Sequence, residues 1–270
     1  DNFAQAPGGK GANQALAAAK LGAEVEFIGA CGNDDFGDQL ISSLNKGGVE
    51  TENIYRLETN TGIANITVES DGDNRIIIIP GANNKLSPEL ISVHEKKIEE
   101  AELILLQLEI PLQTITEIIN LAAKYETRVL LDPAPVKEIP DDIYQKVDYL
   151  LPNEGELDSL VPKLDDSKAK MERLLKLGVE KILLTKGPAG VSYYSREEVK
   201  DYKAPEVEAV DTTAAGDAFA GGFAYGLYQG WSEERAIKFA SQVAALSVTV
   251  KGAQPSLPTA QEVNRFKGGV

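Results

Sequence analysis

Residues 103–132 read LILLQLEIPLQTITEIINLAAKYETRVLLD. The two ends, 103–108 and 128–132, are short apolar runs without polar alternation, as expected of strands buried on both faces of a parallel sheet. Between them Pro111 opens a segment in which Leu112, Ile115, Ile118, Ile119 and Ala122 fall on one helical face. Strand, helix and strand in this order are the unit of an α/β fold.

The same rhythm runs through the rest of the chain. VEFIGA (25–30), DYLLP (148–152) and KILLT (181–185) read as further strands. In 166–177, Met171, Leu174, Leu175 and Leu177 form an apolar stripe that stops at Gly178, a natural helix end. The fold expected is a doubly wound, mostly parallel sheet flanked by helices, which places ligands at the carboxyl ends of its strands. One region departs from the rhythm. TGIANITVESDGDNRIIIIPGAN (61–83) reads as two strands around an Asp-Gly turn with no helix between them. Such a hairpin is marginal alone, so it is expected to act as a small β-lid packed on the body or on another subunit. With no internal repeat or long linker, residues 1–270 read as one α/β domain carrying a lid hairpin at about 61–80.

Composition limits the partners. A formal net charge of −15 repels nucleic acid and anionic lipid, so phosphates must be bound by local devices such as helix N-termini, single lysines or a metal ion. Cys31 is the only cysteine, which excludes an intrachain disulfide and fits a cytoplasmic setting. His94, the only histidine, lies in the charged stretch ISVHEKKIEE (91–100) and reads as a surface helix residue, which argues against a histidine-based enzyme. No apolar run approaches the length of a membrane span.

Three segments carry chemistry. In DTTAAGDAFAGG (211–222), Ala214, Ala215 and Gly216 leave their backbone N–H groups unobstructed at the start of a helix, which makes an anion site. Asp217 beside it is open to two readings. It either complements the helix dipole or accepts the proton of an attacking hydroxyl in phosphoryl transfer. In GGKGAN (8–13), three glycines surround Lys10 and lead to Asn13, without the spacing of a P-loop. That segment is either a sugar- or phosphate-binding helix start or a tight turn before a close-packed helix. In PNEGE (152–156), Asn153, Glu154 and Glu156 follow a strand end and either hold Mg²⁺ through water or simply charge a first helical turn.

GGKGANQA (8–15), LDPAP (131–135), PNEGE (152–156), TKGPAG (185–190), DTTAAGD (211–217) and KGAQPS (251–256) stand in an order and spacing that resemble the ribokinase branch of the ribokinase/pfkB carbohydrate kinase family. The similarity runs from about Ala6 to Val263. It implies ATP-dependent phosphorylation of D-ribose at its 5-hydroxyl, with Asp217 as base and the amides of Ala214, Ala215 and Gly216 as anion hole. By the same resemblance Gly9, Lys10, Gly11, Asn13 and Glu109 hold the sugar. Asn153, Thr185, Lys186, Gly187, Gly190, Gly216 and Ser241 line the nucleotide, and Lys186 adds a positive charge beside the phosphates. Glu156 organises water around Mg²⁺. A monovalent cation, K⁺ by preference, is bound by Asp211, Thr213, Ser247, Val250, Gly252 and Ser256. The hairpin corresponds to part of the lid that also forms the dimer contact in ribokinases.

Relatives of this branch carry some thirty further residues before the point where this chain begins. They include a central strand, a lid strand and a sugar-binding aspartate, so the chain is expected to be a fragment of a longer product, the alternative being a truncated chain that has repaired its sheet in another way. Other readings are a kinase for a related sugar such as deoxyribose, a sugar or nucleotide sensor without turnover, and an inactive fragment. A Rossmann dehydrogenase is disfavoured, because no GxGxxG follows a strand at the start of a βαβ unit.

Overall fold

The computed structural model describes residues 5–68 and 74–266. Its strands are β1 (Val25–Glu26), β2 (Gly29–Gly32), β3 (Val49–Glu50), β4 (Ile54–Leu57), β5 (Ile63–Val68), β6 (Asn74–Ile79), β7 (Leu103–Leu106), β8 (Arg128–Leu131), β9 (Tyr149–Leu150), β10 (Lys181–Thr185), β11 (Val191–Ser195) and β12 (Val199–Tyr202). Six of them form the main sheet in the order β12-β11-β10-β9-β8-β7. Strands β7 to β10 run parallel, and β11 and β12 add an antiparallel edge. The segment 103–132 is the βαβ unit read from the sequence: Leu103 pairs with Arg128 and Leu106 with Leu131, joined through the helix Leu112–Tyr125.

Successive strand residues point to opposite faces, and here both faces are buried. Val129, Leu131, Ile182 and Leu184 enter one core, with Ile115 and Ile119 of helix Leu112–Tyr125 and Met171 and Leu174 of helix Ser167–Leu177. Leu130 and Leu183 enter the other, with Phe219 and Phe223 of helix Ala215–Tyr228 and Ile237 and Ala240 of helix Glu233–Ser247. The sheet is therefore doubly wound, as expected. A third cluster joins the first helix, Lys10–Leu21, to the Ala215–Tyr228 helix through Ala12, Ala15, Leu16, Ala17 and Ala218. The approach is close because the facing residue is Gly221: a Cβ there would lie 2.5 Å from the Ala17 Cβ.

Three details differ from the sequence reading. The run 25–30 is not one strand of the main sheet. It divides into β1, paired parallel with β3, and β2, paired parallel with β4, in two separate small sheets. The paired segment explains the break: it turns at Thr51–Asn53, where the Ile54 N–H donates to the Thr51 carbonyl, and pairing resumes only at Ile54. His94 is not a surface residue. It is buried, caps the short helix Glu95–Glu100, and places Nε2 2.8 Å from the Tyr55 hydroxyl. Burial, helped by nearby Lys97, pushes its imidazole pKa down.

The third detail concerns the hairpin, where β5 and β6 pair antiparallel from Ile63↔Ile79 to Val68↔Asn74. The Asp-Gly turn expected at 71–72 lies outside the described residues. Ile77, Ile78 and Ile79 are all exposed, so both faces of the strand are uncovered over 77–79. Among the described residues no helix is long and apolar enough to cross a membrane.

Candidate active site

The site lies where the parallel strands deliver their carboxyl ends. Gln107 and Glu109 follow β7, Asp132 follows β8, Asn153 and Glu156 follow β9, and Thr185 ends β10 with Lys186–Gly190 after it. Two helix starts complete it from the other side. Gly9, at φ 95°, caps the Lys10–Leu21 helix, and Ala214, at φ 62°, caps the Ala215–Tyr228 helix. A left-handed alanine carries a steric cost that glycine avoids, so the conformation at 214 is held by its surroundings.

Neither cap supplies a side chain to its helix. At the second helix the Ala215 N–H donates to the Thr212 carbonyl at 3.2 Å. Among the described residues, the N–H groups of Ala214, Gly216 and Asp217 find no protein acceptor. Of the three amides expected to form the anion hole, those of Ala214 and Gly216 are free of protein acceptors among the described residues and that of Ala215 is engaged. Gly216 is exposed, and a Cβ on it would meet nothing within 4 Å.

Asp217 is the next residue, in the first turn of the helix, and is buried. Two consecutive residues of the first helix hold it. Asn13 Nδ2 donates to Asp217 Oδ2 at 2.9 Å, and Gln14 Nε2 donates to Asp217 Oδ1 at 3.0 Å. The Gln14 amide also donates to Asp132 Oδ2 at 2.7 Å, and its oxygen accepts from Gln107 Nε2 at 2.6 Å. The Asn13 side-chain oxygen is buried and has no partner among the described residues. A buried acceptor without a donor is rare and costly, which marks a place for a ligand hydroxyl.

Lys10 is the cation of this cluster. Its backbone N–H donates to Glu109 Oε2 at 3.2 Å, and its ammonium lies 3.8 Å from Asp132 Oδ2. Burial alone would lower the lysine pKa, but the carboxylates of Asp132, Asp217, Glu156 and Glu109 outweigh it and raise the value. Burial raises Glu109, against the opposing pull of Lys10. Asp132 is pushed up to about 7, chiefly by burial, with Lys10 acting in the opposite direction. A Cβ on Gly11 would lie 2.8 Å from Gln107 Oε1, so a side chain there would ask the end of Gln107 to shift.

Asn153 and Glu156 form a reciprocal capping box at the Glu154–Leu160 helix. The Glu156 N–H donates to Asn153 Oδ1, and the Asn153 N–H to Glu156 Oε2, both at 2.8 Å. This satisfies one Glu156 oxygen and leaves the other free of protein donors among the described residues, which fits a metal ion bound through water. Thr185 reaches back to this loop, its N–H on the Pro152 carbonyl at 2.9 Å. Gly187 (φ 53°) and Gly190 (φ 102°) shape the turn that follows. Lys186 does not stand free beside the turn: its ammonium pairs with Asp201 Oδ1 at 2.9 Å. Ser241 is buried, and its hydroxyl donates within its own helix to the Ile237 carbonyl at 2.9 Å.

Three of the residues expected around a monovalent cation are tied together by hydrogen bonds. Asp211 Oδ1 accepts the Thr213 N–H at 2.9 Å, and Asp211 Oδ2 accepts the Gly252 N–H at 2.9 Å. These bonds, led by that from the Thr213 hydroxyl, hold the Asp211 carboxyl below its ordinary range. The hydroxyls of Ser247 and Ser256 donate to local carbonyls, those of Ala244 and Ala253, so any share they take in a cation site is as oxygen acceptors. Val250 is exposed.

A cavity of about 860 Å³ opens at the opposite ends of the strands, between Val147, Asp148, Lys181, Tyr193 and Glu233. It lacks the converging helix starts and buried carboxylates described above. Gln14, Gln107 and Asp132 were not singled out from the sequence. Their signals were present: a second amide beside Asn13 in an alanine-rich helix, and acidic or amide side chains closing the strands LILLQ and RVLLD.

The protein-family model described as pfkB family carbohydrate kinase matches residues 1–260. The chain is 40% identical to the ribokinase of Lactococcus lactis over 264 residues, covering 97% of this chain and 86% of the relative. It is 39% identical to the deoxyribokinase of Salmonella typhi, covering 96% and 87%. Among solved structures, Thermotoga maritima ribokinase superposes with a TM-score of 0.89 at 41% identity, covering 95% of this chain and 86% of that one. Arabidopsis thaliana ribokinase in complex with ribose and ATP gives 0.90 at 34% identity, covering 96% and 88%. With its doubly wound sheet, its uncapped helix start and its buried aspartate, the chain belongs to the pfkB family of carbohydrate kinases, enzymes that use ATP as co-substrate.

Proposed function

We propose that this kinase transfers the γ-phosphoryl group of ATP to the 5-hydroxyl of D-ribose, with Asp217 as the base. The observation that carries the reading is the Asn13 side chain. Its nitrogen is bound to Asp217 Oδ2, while its buried oxygen has no partner among the described residues, within reach of the same carboxylate. A sugar hydroxyl that donates to Asn13 Oδ1 is thereby brought beside Asp217. Lys10 and Glu109, with the open turn Gly9–Gly11, supply further polar partners for a polyhydroxylated ligand. Asp217 takes the proton of the primary hydroxyl as its oxygen bonds to the γ-phosphorus. The bond from phosphorus to the β–γ bridging oxygen breaks, and ADP leaves. The amides of Ala214 and Gly216 stabilise the charge on the transferring group.

The nucleotide is read as lying along Asn153, Thr185, Gly187 and Gly190, with Ser241 behind it. Lys186 must exchange Asp201 for a phosphate to contribute there. Mg²⁺ held through water by Glu156 would neutralise charge on the β- and γ-phosphates. The tie between Asp211, Thr213 and Gly252 supports a K⁺ site completed by oxygens of Ser247, Val250 and Ser256, one helix start away from the anion cradle.

The test is ADP release with ATP, Mg²⁺ and K⁺ against D-ribose, 2-deoxy-D-ribose and D-fructose. Ribose is expected to be the best acceptor, and Asp217→Asn to lower kcat by at least about 100-fold while ATP binding persists. Faster turnover of deoxyribose would replace ribose as the substrate, and full activity of Asp217→Asn would remove Asp217 from the base role.

A further inference from the structure

Gln14 is fully buried, and every polar atom of its side chain is engaged. One amide hydrogen goes to Asp132 Oδ2 and the other to Asp217 Oδ1, while the oxygen accepts from Gln107. Turned over, the amide would set its oxygen against two carboxylates and its N–H₂ against the N–H₂ of Gln107. The neighbours thus permit one orientation. Asp132 is itself fixed, since its second oxygen accepts the Ala134 N–H at 3.2 Å.

We propose that Gln14 is a positioning residue for the reaction, and that Gln107 and Asp132 lock its amide so that it pins one oxygen of Asp217 while Asn13 pins the other. Two donors on two different oxygens fix the rotation of the carboxylate about its own axis, which one donor alone cannot do. The carboxylate then faces the acceptor hydroxyl at a constant angle, the geometric condition on which proximity effects depend. Gln14 does not touch the substrate and acts through Asp217. The inference rests on the reading of Asp217 as base.

The experiment compares wild type, Gln14→Met and Gln107→Glu, with thermal unfolding recorded for each. Turnover is measured on whichever sugar of a pentose and hexose panel the wild type uses best. Gln14→Met keeps the side-chain length and removes both donors. Gln107→Glu leaves Gln14 in place but replaces the donor to its oxygen with a carboxylate, which unlocks the amide that holds Asp217. Both are expected to lower kcat by roughly 10- to 100-fold, the range carried by a hydrogen bond to a charged group. KM for sugar and for ATP should stay within about 3-fold, because the lost interaction serves the transition state. If Gln14→Met fails to fold, the half-buried Gln107→Glu decides.

Unchanged kcat in a folded variant, or a loss confined to KM, overturns the positioning role while leaving Asp217 as base. Full activity of Asp217→Asn, or a wild type inert to the whole panel, overturns both.

Discussion

Replacing Gly221 by alanine tests whether the approach of two helices sets the chemistry. The new Cβ would lie 2.5 Å from the Ala17 Cβ, 2.8 Å from the Gln14 carbonyl oxygen and 3.0 Å from the Ala18 nitrogen. Non-bonded carbon atoms rest at about 3.5–4.0 Å, so the helices must part by about 1 Å. The bonds from Asn13 and Gln14 to Asp217 stand at 2.9 and 3.0 Å. Only about 0.2–0.3 Å remains before such bonds leave their good range. Overpacking of this kind destabilises by about 1–3 kcal/mol, partly offset by the roughly 1 kcal/mol that alanine gains over glycine within a helix.

Catalysis should suffer more than stability, because a displacement of about 1 Å at a reacting group lowers the rate by roughly 100-fold. The assay pairs the urea midpoint, at unchanged m-value, with kcat from ADP release. Gly222→Ala is the control. Its Cβ would press on Ala240 and Val243 of the neighbouring helix, at 3.0 and 3.1 Å, and not on the Lys10–Leu21 helix. It should reduce stability with little change in kcat. Wild-type kcat in Gly221→Ala, or an equal loss in Gly222→Ala, refutes the reasoning.

Two further outcomes are expected. Asp132 titrates near 7 in the folded chain against an ordinary 3.8, so between those values the folded state binds more protons than the unfolded one. Stability therefore falls as pH rises through that window. Asp132→Asn should match wild type below about pH 4 and gain on it towards pH 8, by at most about 4 kcal/mol. A difference that stays flat in urea titrations across that range contradicts this. The exposed Ile77, Ile78 and Ile79 support a homodimer formed through the β5–β6 hairpin. Wild type should then sediment as a dimer at micromolar concentration and Ile78→Glu as a monomer, whereas a monomeric wild type rejects the lid contact.

The main sheet was legible because its strands are short apolar runs buried on both faces, and 103–132 carried the whole βαβ pattern in one stretch. Asp217 was legible as a carboxylate beside a side-chain-free turn, although its two readings could not be separated locally. The contact that bears on them is with Asn13, a residue 204 positions away. Gln14, Gln107 and Asp132 escaped notice for the same reason: each is an ordinary polar residue until the fold brings it against the others. The division of 25–32 into two strands depended on a turn in the partner segment at Thr51–Asn53, which the apolar pattern of 25–30 does not register. His94 was misread because charged neighbours in sequence concealed Tyr55, which packs on it from another element.

The pairing of the Lys10–Leu21 helix with the Ala215–Tyr228 helix also bears on how the chain acquires activity during synthesis. At roughly 5–20 residues per second, the ribosome takes on the order of 10–40 s to deliver the second helix after the first. Over that interval Ala17 lacks the Gly221 surface that will face it, and the amides of Asn13 and Gln14 lack the Asp217 carboxylate. The parallel strands β7 to β10 have by then emerged in order, each next to its predecessor. Closure of the amino-terminal helix is thus among the last long-range events, since contacts so far apart in sequence form late and slowly. Catalytic competence, on this ordering, comes at the end of folding, and the nascent chain passes through a stage in which its sheet is built but its aspartate is not yet held.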